Sequence, residues 1–119
     1  MDARLVEFLD TIPAAVAREK ARAALNKTVN AGGFTTEAEL VLRAVDRGGA
    51  ELTYRFGYGK KQDGLRLPTK PKWSIWSGDT GHQISKTAAA FACYLLHLDI
   101  EELIARGDAA YEVELERCR

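Results

Sequence analysis

The hydrophobic period of this chain drops from near four to two over one short stretch, and that drop restricts what it can fold into. Leu52, Tyr54, Phe56 and Tyr58 alternate with Glu51, Thr53, Arg55 and Gly57, so a strand here has one aromatic face and one polar face. Asp63-Gly64 is a hairpin-turn dipeptide, and it predicts that Leu65-Arg66-Leu67 returns as the second strand with Lys60 and Lys61 at the tip. Pro68 and Pro71 predict extended chain outside a regular ladder. Trp73-Ser74-Ile75-Trp76 then reads as a third, short strand.

The flanking segments carry helical spacing. Leu5, Phe8, Leu9 and Ile12 form one stripe behind the N-cap Asp2, and Pro13 ends it and opens an alanine-rich helix running toward Val29, stopped by Gly32-Gly33. Thr36 and Glu39 have capping-box spacing ahead of Ala38, Val41, Leu42 and Val45, with Gly48-Gly49 as the stop. After the sheet, Ser77 to Gly81 reads as a turn in which Asp79 or Thr80 caps a long helix with the stripe Ile84, Ala88, Phe91, Leu95 and Leu98. Asp99 and Glu102 restart a helix, Gly107 breaks it briefly and Asp108 caps a last segment. The expected class is α+β: three N-terminal helices, a small three-stranded antiparallel sheet, and two or three C-terminal helices.

With 119 residues the chain fits a single domain, 1–119. No run of about 18 apolar residues is present, and the start Met1-Asp2-Ala3-Arg4 lacks a basic region followed by an apolar one. Cys93 and Cys118 stand outside any Cys-x-x-Cys or metal-ligand spacing, which reads as a reduced, cytoplasmic protein away from membranes. Seventeen basic and seventeen acidic side chains cancel overall. Locally they do not: Lys60, Lys61, Arg66, Lys70 and Lys72 face only Asp63 between 58 and 76, whereas 99–119 holds seven acids against three arginines.

Chemistry-bearing patterns are weak. Asp79-Thr80-Gly81 resembles the aspartic protease triplet in three residues only and lacks the second copy that a proton-sharing carboxylate pair needs. Ser77, Asp79 and His82 have the residue types of an acyl-transfer triad but sit within six positions, where triad members normally converge from distant segments. His82 reads as an early helix residue and His97 as one of a last turn, so no metal site is assigned. Gly57-Tyr58-Gly59-Lys60-Lys61 lacks the Gly-Lys-Ser/Thr ending of a phosphate loop. The expectation is a chain without enzymatic activity and without a cofactor.

The informative segment runs from Tyr54 to Trp76, where aromatic rings interleave with six cations. The candidate partner-binding residues are Tyr58, Lys60, Lys61, Arg66, Lys70, Lys72 and Trp76. Such mixing suits an acidic protein surface, with Tyr, Trp and Arg at its energetic centre, and it equally suits nucleic acid. The expected function is a small protein-binding module acting on a larger protein or complex with an acidic surface. Phage- or plasmid-type inhibitors of a host defence complex, such as a CRISPR effector, and adaptor or immunity proteins are of this type. The alternative rests on element order, which resembles a winged helix-turn-helix domain with helix 36–47 as recognition helix and hairpin 55–66 as wing. That resemblance implies DNA binding, although Glu37, Glu39, Arg43, Asp46 and Arg47 give the helix no positive excess.

Overall fold

A computed structural model describes residues 1–29 and 35–119. The expected helix stop at Gly32-Gly33 and most of the link 30–36 lie outside the described residues. The order is α1 (Ala3–Asp10), α2 (Ala15–Asn26), α3 (Glu37–Arg47), β1 (Glu51–Tyr58), β2 (Pro68–Ser77), β3 (Thr80–Ile84), α4 (Lys86–Leu96) and α5 (Ile100–Arg117). The class is therefore α+β, with helices on both sides of a three-stranded antiparallel sheet in sequence and strand order β1-β2-β3 in space.

Local signals place the N-terminal helices. The Asp2 carboxylate accepts from the Arg4 amide at 2.8 Å and caps α1, and Thr36 Oγ1 accepts from Glu39 N at 3.2 Å and caps α3. Arg4 joins the two, bonding Asp2 and also Asp46 near the end of α3, at 2.7 Å to Oδ1. Its guanidinium holds both carboxyls below the usual carboxylate range. This clasp is complete above that range and is lost as pH falls through the lowered values.

Three sequence expectations are corrected. The returning strand is not Leu65–Leu67, which adds only an isolated Gln62–Leu65 bridge, but the ten-residue β2. Both prolines lie inside it. Pairing runs Glu51↔Trp76 to Arg55↔Lys72 and then slips to Gly57↔Thr69, so Phe56 opposes both Lys70 and Pro71. A bulge is where a sheet tolerates a residue without an N–H. Second, Gly78-Asp79 is a two-residue hairpin turn, with φ +60° at Gly78 alone, and Thr80–Ile84 is a strand rather than the start of a helix. His82 consequently sits on β3. The cap of α4 is Ser85, whose Oγ accepts from Ala88 N at 3.2 Å. Third, α5 runs unbroken through Gly107; Asp99, its true cap, accepts from the Glu101 amide at 3.0 Å.

Side-chain alternation sorts the sheet into two faces. One carries Leu52, Tyr54, Trp73, Ile75 and Ile84 and is covered by α3, α4 and α5. Phe91 on α4 is fully buried against α1, with its ring 5.2 Å from that of Phe8, and Ala88, Ala89 and Ala92 let the helices approach closely. The Tyr54 ring stacks 4.5 Å from Trp73 and its hydroxyl donates to Asp108 at 3.0 Å, which with burial raises its pKa. The other face is wet: Glu51, Arg55, Lys72 and Gln83 are exposed on it.

Glu37, in the first turn of α3, accepts from Ser85 twice, from the amide at 3.1 Å and from Oγ at 2.6 Å. The cap of α4 is thus tied to the start of α3. Ser85→Ala should destabilise by about 1–2 kcal/mol, because it removes a helix cap and leaves a half-buried carboxylate short of a donor. A urea midpoint equal to wild type would show that the tie contributes nothing.

Candidate functional site

The basic segment is built on the β1–β2 hairpin. Asp63 and Gly64 both take positive φ, 51° and 81°, and Gln62 and Leu65 exchange two 2.8 Å hydrogen bonds around them, the geometry of a type I′ turn. Below the tip the strands part into a loop that Gly59 N closes onto Leu67 O at 3.0 Å. Lys60, Lys61, Arg66, Lys70 and Lys72 are all exposed. Among the described residues none has a carboxylate within 4.0 Å.

The acidic end of the chain does not neutralise them. Glu102, Glu114 and Glu116 pair locally along the C-terminal segment, to Arg106, Arg117 and Arg119. Glu114 also lies beside Tyr58, whose hydroxyl pKa is raised by burial and by that carboxylate. The tail therefore meets the root of the hairpin through a tyrosine, and the positive potential of the tip stays open.

Apolar groups accompany the charge. Tyr58 is 53% exposed, Leu65 62% and Leu67 52%, and Leu65 and Leu67 line a shallow cleft of about 400 Å³ with Gly59, Lys60 and Pro68. The sequence alone placed these leucines in the returning strand of the hairpin. Their exposure follows from β2 starting at Pro68, which leaves Leu67 outside the sheet.

Trp76 is not part of this cluster. Tyr58 pairs with Pro68 at one end of the β1–β2 ladder and Trp76 with Glu51 at the other, roughly 25 Å away at the rise of a strand, and the two side chains leave opposite faces. The Trp76 indole N–H donates to Thr53 Oγ1 at 3.0 Å, and its ring lies against Gly81. Its one polar side-chain group is thus bonded within the sheet.

On the wet face the structure adds a residue the sequence reading left aside. Arg55 stands directly opposite Lys72, a like-charge pair that weakens a sheet unless something else answers it. Glu51 answers part, 3.5 Å from Arg55. Only the register could reveal this pair.

The patterns weighed for catalysis separate. Asp79 is in the β2–β3 turn, while Ser77 and His82 lie on the covered side of the sheet with no hydrogen bond to one another among the described residues. Burial pushes the Cys93 thiol up to about 11, away from a reactive thiolate. No cluster of three or more metal-ligating side chains occurs among the described residues, and no helix there is long and apolar enough to cross a membrane. No family model matches the chain, and neither the curated proteins nor the solved structures contain a match to it.

Proposed function

We propose that this chain is a non-enzymatic protein-binding module whose contact surface is the β1–β2 hairpin, and that its partner is a larger protein or assembly with an acidic surface. One observation carries the reading: five cations without carboxylate partners lie along the β1–β2 hairpin, which also exposes the apolar groups Tyr58, Leu65 and Leu67 around a tight turn. An apolar centre inside a polar rim is how protein interfaces are built, and a type I′ turn presents it with little ordering cost on binding. The mode of action is occupation of the partner's surface, as in inhibitors, adaptors and immunity proteins.

A second reading is nucleic-acid binding. The Arg55–Lys72 pair, on the same wet face as Trp76, favours it, since phosphate relieves like charges and a ring can stack on a base. The winged-helix version draws less support, because Glu37, Glu39 and Asp46 outnumber Arg43 and Arg47 on α3 and the helix keeps no net positive charge.

The test is charge reversal. Lys60, Lys61, Lys70 and Lys72 all changed to Glu should abolish retention of the partner from native extract, while Tm moves by only a few degrees, since exposed charges add little to folding. Reversal of Glu112, Glu114 and Glu116 to Lys is the control and should leave retention in place. Normal binding by the hairpin variant, with loss in the tail variant, would move the interface to α5. A shift assay with DNA and RNA at two salt concentrations decides the second reading, which requires tight binding that weakens steeply with salt.

A further inference from the structure

The covered face of the sheet changes character toward the β2–β3 turn. Beyond Ile75 it ends in Ser77, Thr80 and His82, and α3 crosses there with Arg43 and Arg47 one turn apart on the same side. These five side chains line one narrow cleft of about 50 Å³, floored by buried apolar residues of α3 and β2.

Two observations set this cleft apart. Four other clefts among the described residues each mix basic and acidic side chains, whereas every charged or ionisable group lining this one is basic. None of the five side chains has a hydrogen-bond or ion-pair partner among the described residues. Of the nearby acids of α3, Asp46 is held by Arg4 at 2.7 Å, and Glu39, one turn before Arg43, makes no ion pair with it and does not line the cleft. Two guanidinium groups four residues apart repel each other, so the arrangement is unfavourable until an anion enters it.

We infer that this cleft binds a phosphate-type oxyanion, free or as the phosphoryl group of a small monoester. Guanidinium forks match tetrahedral oxyanions in a bidentate manner. The two hydroxyls and the imidazole add donors, and together the set outnumbers what the two oxygens of a carboxylate readily accept. The narrowness admits one such group, leaving the rest of an ester outside. This site is separate from the hairpin and does not depend on the function proposed for it.

The experiment is a titration of the isotope-labelled full chain with inorganic phosphate, and separately with phenyl phosphate, each against chloride at matched ionic strength. Saturable amide shifts at Ser77, Thr80 and His82 are expected. Arg43→Gln and Arg47→Gln, both exposed positions whose melting should be unchanged, should each weaken binding about tenfold or more. The fourfold lysine reversal of the hairpin should leave affinity and shifts as in wild type. Equal affinity for phenyl phosphate identifies a monoester site, and binding of phosphate alone identifies a site for the free ion. Non-saturating shifts, or an unchanged response in the Arg43→Gln/Arg47→Gln double variant, would overturn the inference.

Discussion

Phe91→Ala is expected to lower the unfolding free energy by about 3–5 kcal/mol, a large part of what a chain of this size commonly has. Phe91 is the largest side chain with no solvent exposure, and it sits where α1 and α4 meet, against the Phe8 ring. Its helix neighbours Ala88, Ala89 and Ala92 are also fully buried. Alanine side chains cannot swing into the space a phenyl ring vacates, so the cavity should stay largely open and the cost should be near the upper end. The check is a urea melt in which the midpoint falls and the slope stays constant. A loss below about 1 kcal/mol would mean that this stripe of α4 is not the core.

Gly107→Ala should also destabilise, against the direction helix propensity alone demands. Inside an exposed helix, glycine-to-alanine gains about 1 kcal/mol. At Gly107 a β-carbon would come within 2.6 Å of the Tyr54 carbonyl oxygen and would press on its ring. The reason lies in the sheet. Ser77 and Thr80 flank a two-residue turn and form a hydrogen-bonded pair, and by alternation the Tyr54 peptide then points away from β2, toward the free edge of β1. α5 is laid over that edge, with glycine at the contact, which also blocks pairing with a foreign strand. Backbone atoms of a strand cannot give way as a side-chain tip can, so overpacking should outweigh propensity and leave a net loss of about 2 kcal/mol. Ala105→Gly, exposed on the same helix, is the comparison and should lose about 1 kcal/mol from propensity alone. A stabilised Gly107→Ala would show that α5 does not press on β1.

These two residues mark the scaffold that leaves the hairpin free to act. The core of α1 and α4 and the clamp of α5 on β1 hold the root of the hairpin. Its tip carries no packing duty, so charge can be reversed there without emptying the interior. The proposed oxyanion cleft lies at the other end of the sheet, and the two sites can be altered separately.

Local physics determined much of this protein in advance. Asp2, Thr36 and Asp99 cap the helices their spacing announced, and Asp63-Gly64 makes the announced turn, because a cap or a tight turn is settled by a few neighbouring atoms. The period-two stretch became β1, and the α+β class followed from the change of period. Tertiary structure decided whatever local signals left balanced. Asp79-Thr80 could cap a helix or follow a hairpin glycine, and pairing with the Trp73–Ser77 end of β2 chose the hairpin and handed the cap to Ser85. Gly107 could break a helix or admit a neighbour, and the approach of Tyr54 chose the second. The same holds for the sites: the lysines of the hairpin are adjacent in sequence and were legible there. Arg55 opposite Lys72, and Arg43 and Arg47 beside Ser77 and His82, are neighbours only through strand register and the crossing of α3, which arise from packing between segments distant in sequence.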